Sequence, residues 1–307
     1  MKRTGVGKAR DRKKRGGLQA IPEATRIVAL LSDFGSRDAY VGVMKAVMLQ
    51  IDPTLRLVDL SHDIEPFAVC SAAYVLYSAW DHFSAGTVFL AVVDPGVGSE
   101  RAVLLATDGL KFLVCADNGT VSLLLRMRQS LRTYSPKDVL PYRSDSGAVP
   151  VAPTFHGRDI FAPLAARTAV RGFDSIRGRD LTPVLLEGVH SEIDSDNELV
   201  RGRIMHVDRF GNCITSVHEG DLGQLSAPDG RVSRTEVRAG GFRVAGVRQY
   251  YAQVAPKEPL AYFGSSGFLE LALRNAHASS EYGLRTGDSV LVHKSKNDSR
   301  NWAAPSS

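Results

Sequence analysis

The chain has 307 residues, of which 44% are hydrophobic, with a formal net charge of +5; this length accommodates two domains of ordinary size, each able to bury a core. No apolar run approaches the roughly 18–20 residues that cross a bilayer, and no apolar signal region follows the basic N-terminus, so no membrane span or secretory signal is expected and the cytoplasm is the default compartment. The positive charge does not mark a nucleic-acid-binding body, because residues 1–24 carry eight Lys and Arg against Asp11 and Glu23 and leave the remainder near neutral.

Residues 1–24 have no apolar periodicity and read as a basic, disordered tail. Three readings of it stand side by side: a non-specific polyanion-binding arm, an address signal, or translation from upstream of a body that begins near Ala24. From Arg26 the pattern becomes strand, loop, helix: RIVALLS, DFGSRDAY, then VGVMKAVMLQI at helical spacing, closed by Asp52-Pro53. LRLVDL, the polar SHDIEP and a helical AVCSAAYVLYSAWDHF follow. Thr87 to Val93 has the β-branched, continuous apolar character of a strand buried on both faces. It stops at Asp94-Pro95-Gly96-Val97-Gly98, a loop that is tight through Pro95 and lets a ligand approach the backbone at its glycines. RAVLLAT and KFLVCAD read as strands either side of the Asp108-Gly109 turn, and Asn118-Gly119 precedes VSLLLRM. Strands alternating with helices predict a mainly parallel sheet covered on both faces. Asp33, Asp63, Asp94 and Asp117-Asn118-Gly119 all follow strands, where open α/β sheets hold their ligands.

The loop Val151 to Asp159 (VAPTFHGRD) sets His156 at the entry of a helical IFAPLAARTAV, where a catalytic or orienting role competes with that of a satisfied, partly buried ring. Residues 176–198 read as a linker with an edge strand. Beyond Leu199 the chain turns to short alternating strands split by glycine turns, which predicts a smaller antiparallel β-barrel over 199–296 after an α/β domain over 25–175, with a polar tail at 297–307. Within it, Asp208 to Asn212 and Gly264 to Glu270 are polar, glycine-rich loops that serve equally as hairpin turns or as a site. Cys70, Cys115 and Cys213 are scattered in apolar contexts and suit reduced core thiols rather than a disulfide frame or zinc site. No GxGxxG, P-loop, HExxH or CxxC pattern occurs, so dinucleotide binding, NTP hydrolysis and thiol redox chemistry lose their usual support.

LLSDFGSRDAYVGVMKA, VVDPGVGSER, ADNGTVSLL, PTFHGRDIFAP, VDRFGNCIT and FGSSGFLELA together resemble the S-adenosylmethionine hydroxide adenosyltransferase family, relatives of the fluorinating and chlorinating S-adenosylmethionine enzymes. The resemblance spans about Ile27 to Val292. It implies an α/β domain followed by a β-barrel, a homotrimer with ligand held between the first domain of one subunit and the barrel of the next, and conversion of S-adenosylmethionine and water to adenosine and methionine. The family's Asp-Arg-His triad matches Asp94, Arg101 and His156. By the same resemblance Asp33 matches the position that receives the ribose hydroxyls, Asp38 and Asp208 match positions near the methionine portion, and Phe210 and Asn212 match positions around the adenine. Ser265 falls in the closing loop, and Phe67 aligns with an aromatic on the ribose side. Halogenating relatives look to have Tyr in place of Asp94 and Tyr-Ser in place of His156-Gly157, and the fluorinating ones carry a long insertion where this chain has Asp108-Gly109. Ser266 stands where the fluorinating type has Arg, and Arg274 is displaced by one residue.

The residue types suit that chemistry. Attack at C5′ releases a neutral thioether, so no general acid is needed and no metal or cofactor is implied; the site must place an oxygen nucleophile in line and accept its proton, which Asp94 and His156 can do with Arg101 orienting Asp94. A carboxylate such as Asp33 accepts from both ribose hydroxyls, Phe210 can stack on adenine, and the Asn212 amide can pair with its edge. Halide addition to the same substrate and non-catalytic binding of S-adenosylmethionine or adenosine are the competing readings, while nucleic-acid binding rests on the tail alone.

Overall fold

A computed structural model describes residues 25–139, 143–144, 147–148, 150–196, 198–223 and 235–294; the basic N-terminal segment and the residues from 295 onward lie outside these. In chain order, β1 (Ile27–Ser32), α1 (Tyr40–Ile51), β2 (Arg56–Ser61), α2 (Val69–Trp80) and β3 (Val88–Val92) form two right-alternating β-α steps. The hairpin β4 (Val103–Thr107) and β5 (Phe112–Ala116) follows, then α3 (Ser122–Met127), β6 (Arg132–Pro136), a small hairpin β7 (Arg143–Ser144) and β8 (Gly147–Ala148), α4 (Ala162–Arg171) and β9 (Arg177–Asp180). Their seven-stranded sheet runs β2-β1-β3-β5-β4-β6-β9. It is parallel from β2 to β5 and antiparallel from β5 to β9. The short turn Asp108 to Lys111, with Gly109 at φ 91°, begins the reversal, because so short a connection between paired strands returns the chain antiparallel.

The period-two alternation of β1 divides its apolar side chains between two cores. Val28 and Leu30 pack with Met44, Met48, Leu164 and Ala165 of α1 and α4. Ala29 and Leu31 pack on the other face with Ala72, Leu76 and Trp80 of α2 and Leu124 of α3. The helix expected at IFAPLAARTAV opens as a π-helical turn over Gly157–Phe161, with the Ala162 N–H reaching back to the Gly157 carbonyl. Pro163 has no N–H to donate to the turn before it, so the ladder is interrupted at this point.

The second sheet comprises β10 (Glu192–Asp194), β11 (Leu199–Val207), β12 (Cys213–His218), β13 (Thr235–Ala239), β14 (Phe242–Ala245), β15 (Pro259–Phe263), β16 (Phe268–Leu273) and β17 (Ser289–Lys294), with short helices α5 (Glu219–Gly223) and α6 (Ala278–Tyr282). Its order is β14-β13-β17-β11-β12-β16-β15, with β10 beside β11. A bridge from Arg248 to Tyr262 joins the end following β14 to β15 and nearly closes the barrel. The 176–198 interval is shared: β9 edges the first sheet, while β10 already pairs in the second.

Arg126 of α3 ties the two halves together. It donates to the carbonyls of Val189 (2.6 Å) and Ser216 (2.7 Å) and pairs with Asp221 at 2.9 Å. Among the described residues no helix is long and apolar enough to cross a membrane.

Candidate active site

The parallel pairing of β2, β1, β3 and β5 sets the loops carrying Asp63, Asp33, Asp94 and Asp117 along one carboxyl edge. They do not all serve a ligand. Asp117 accepts the Val184 N–H at 2.8 Å, and the Asn118 amide donates to the Val93 carbonyl at 2.8 Å, fixing the residue before Asp94.

Arg101 enters the same edge just before β4. Its Nε donates to Asp94 Oδ1 at 2.6 Å and its Nη2 to Asp94 Oδ2, a two-point ion pair with only 10% and 5% of the side chains exposed. Such a fork fixes the carboxylate plane as well as its charge. The same Nη2 donates to His156 Nδ1 at 3.1 Å, and the guanidinium carbon lies 5.2 Å from the centre of the Phe161 ring. Burial and the neighbouring Arg101 charge lower the His156 pKa, outweighing the opposite pull of Asp94 and Asp159, so the imidazole is held neutral. Because Arg101 can only donate, a neutral His156 accepts at Nδ1 and carries its proton on Nε2. Gly98 lets the two loops meet: at φ 82° a Cβ there would stand 2.6 Å from the Pro153 carbonyl oxygen.

Asp33 stands at the end of β1, and its Oδ2 accepts the Phe67 N–H at 3.0 Å. Phe67 has φ 67°, an unusual conformation for a bulky residue, and its ring is 69% exposed. Phe34, Tyr40 and Phe155 form a mutual ring cluster with centroids 5.2–5.9 Å apart. It packs the Asp33 loop against the loop of His156, and the parallel pairing of β1 and β3 sets Asp33 and Asp94 at neighbouring strand ends on one edge of the sheet. Asp38 is exposed at the approach to α1.

The barrel residues gather separately. Asp208 Oδ1 accepts the backbone N–H groups of Phe210 and Asn212, each at 2.9 Å, and its Oδ2 accepts the Asn212 amide at 2.8 Å. These bonds hold a turn in which Asn212 is buried and Phe210 is 75% exposed. Ser265 is exposed in the neighbouring β15–β16 turn; Ser266 of that turn bonds to Tyr74 of α2 at 3.2 Å, and Tyr74 stacks on His206. Glu270, at the end of the Gly264 to Glu270 stretch read as a turn or a site, lies within β16 and has no role assigned by the family resemblance. It is buried, accepts from Tyr262, which bonds to Tyr251 at 2.6 Å, and its pKa is raised by burial and then by Asp208. A charged residue in the otherwise apolar FLELAL strand was its signal. Among the described residues no group of three or more His, Cys, Asp and Glu is disposed to hold a metal ion.

The chain matches the S-adenosylmethionine hydroxide adenosyltransferase N-terminal domain over residues 28–176 and the C-terminal domain of that family over 202–291. It is 37% identical over 269 residues to an (R)-S-adenosyl-L-methionine hydrolase of Thermus thermophilus, covering 87% of this chain and 99% of that one. A Salinispora tropica protein of the same name is 34% identical, with 86% and 97% covered. An uncharacterized conserved protein of Thermotoga maritima has a similar structure, with a TM-score of 0.75 at 32% identity over 87% of this chain and all of the other. With both domain types matched in order, and the Asp94, Arg101, His156 group at the edge of the sheet, the chain belongs to the S-adenosylmethionine hydroxide adenosyltransferase family.

Proposed function

We propose that the protein hydrolyses S-adenosyl-L-methionine to adenosine and L-methionine by in-line attack of water on C5′. The observation that carries this reading is the buried Asp94–Arg101 fork with His156 on its flank. The water oxygen forms a bond to C5′ as the C5′–S bond breaks, and its electron pair passes to the sulfonium, which leaves as the neutral thioether of methionine. One water proton passes to Asp94 and then to solvent. The Arg101–His156 hydrogen bond supports a division of labour between the flanking groups: His156 holds the oxygen through its Nε2–H, and Asp94 accepts the proton on a lone pair not used by Arg101. Arg101 keeps both in place and favours the negative charge that develops on the oxygen. The sulfonium already carries the charge that activates the leaving group, so the chain's own residues meet the needs of the step without a metal or cofactor.

Asp33 is assigned to the ribose diol, Phe67 to the ribose side, Phe210 and Asn212 to the adenine, Asp38 and Asp208 to the methionine portion, and Ser265 to the loop over the ligand. The exposed rings of Phe67 and Phe210 support a homotrimer in which the crevice of one subunit meets the barrel of the next. A cytoplasmic location fits a substrate made and used inside cells and the free thiols of Cys115 and Cys213, both buried in the cores. Turnover in ¹⁸O-water followed by mass spectrometry tests the reaction. Adenosine labelled at O5′ is expected; binding of S-adenosylmethionine with no methionine released over hours would replace hydrolysis with a binding function.

A further inference from the structure

The polar stretch after β2 contributes nothing to the chemistry above, yet it forms a continuous chain of hydrogen bonds beneath Asp33. Ser32 is the last residue of β1 and wholly buried. Its Oγ lies 2.7 Å from His62 Nδ1, His62 Nε2 lies 3.0 Å from Asp59 Oδ1, and Asp59 Oδ2 accepts from Lys45 of α1 at 2.6 Å. Burial pushes the Asp59 carboxyl up, but the hydrogen bonds from Lys45 and His62 outweigh it and hold the group below its ordinary value. An ionised Asp59 accepts the Nε2–H, and in that tautomer Nδ1 accepts from the Ser32 hydroxyl. The order Ser, His, Asp is that of an activated nucleophile. Ser32 has no exposed surface from which to attack, so the chain acts on position instead.

What it positions is the next residue. The Ser32 hydroxyl accepts the Phe34 N–H at 3.4 Å, and the His62 carbonyl accepts the Gly35 N–H at 2.7 Å. Asp33 lies between these ties and is itself bonded to Phe67, on the far side of the His62 loop. The β1 and β2 loops are thereby cross-linked on both sides of the carboxylate. We infer that His62, with Ser32, Asp59 and Lys45, is a positioning residue that aims Asp33 at the ribose diol and so sets the preference for a ribosyl over a 2′-deoxyribosyl substrate. This rests on the assignment of Asp33 to the diol.

The test compares kcat/KM for S-adenosylmethionine and for its 2′-deoxyribosyl analogue, using the full chain. One hydrogen bond to an ionised acceptor corresponds to roughly a 10–150-fold preference for the ribose in the parent protein. In His62→Ala and Ser32→Ala that preference is expected to fall to about threefold or less, because the ribosyl substrate loses activity and the deoxy analogue hardly changes. His62→Asn, which can still accept from Ser32, should restore part of it. Equal losses on both substrates in all three variants would overturn the proposal and leave His62 a purely structural residue. Failure of the underlying assignment looks different: Asp33→Asn would keep the full ribose preference, or the parent protein would turn over neither substrate.

Discussion

The two faces of the site are prepared differently. On the α/β side the groups assigned to the reaction are already locked: Asp94 and Arg101 are almost wholly buried and joined at two points, and His156 leans on the same guanidinium. On the barrel side the polar groups are bound to one another, with Asp208 and Asn212 closing their own turn, while the ring between them projects into solvent. Chemistry at C5′ needs groups fixed before substrate arrives, because reorganisation during the step would raise the barrier. Recognition of a base needs only a flat ring on a rigid turn and a surface that closes over it. Substitutions on the first face should therefore strike kcat, and those on the second KM.

The largest effect is expected at the lock itself. Asp94→Asn keeps the shape of the side chain but loses the proton acceptor and the ion pair; kcat should fall by about 10²–10⁴-fold with the fold intact. Retention of full turnover in a variant with unchanged circular dichroism would dissolve the distinction between the faces. Phe210→Ala removes a stacking surface worth about 1–3 kcal/mol per base, so KM should rise roughly 5–150-fold with little change in kcat. A matching fall in kcat would show that the barrel turn also shapes the reacting geometry.

A smaller effect separates the two glycines of the Asp94 loop. At Gly98 a Cβ would meet the Pro153 carbonyl at 2.6 Å in a left-handed conformation, whereas at Gly96 its nearest neighbour is Ser99 Oγ at 3.4 Å. Gly98→Ala should cost about 1–3 kcal/mol of stability in denaturant melts and loosen the contact with the His156 loop. Gly96→Ala should cost clearly less. The same cost at both positions would mean that the loop, not its contact with Pro153, limits stability.

How much of this was legible in the chain follows from distance along it. VVDPGVGSER announces a strand ending in a loop, and the separation of seven positions between Asp94 and Arg101 is short enough that the local turn alone brings the pair together. The doubly buried character of β3 was equally plain. The Ser32–His62 bond spans 30 residues and depends on the parallel register of β1 and β2, so nothing local in SHDIEP reveals its partner. The antiparallel half of the first sheet was visible only as the Asp108-Gly109 turn, since strand direction beyond it is decided by what β4, β6 and β9 pack against. Asn212 shows another limit: the residue type allows an adenine contact, but its donor is directed onto Asp208 in the fold.

The smallest predicted effect concerns protonation on the locked face. Burial and Arg101 hold the His156 pKa below its ordinary 6.5, so the native protein binds fewer protons at this ring than the unfolded chain does. Stability contributed by the neutral ring is complete above about 6.5 and is lost as pH falls from there towards the depressed native value. Activity follows the native state alone: kcat/KM should hold down through 6.5 and decline only below it, by a few-fold per half unit at most, as Nδ1 gains a proton facing a guanidinium that can only donate. His156→Asn, which cannot titrate, should flatten that acid limb while lowering the plateau. An acid limb that persists unchanged in His156→Asn would show that protonation of this imidazole does not set it, and the ring would then serve the locked face by its hydrogen bonds rather than by its charge.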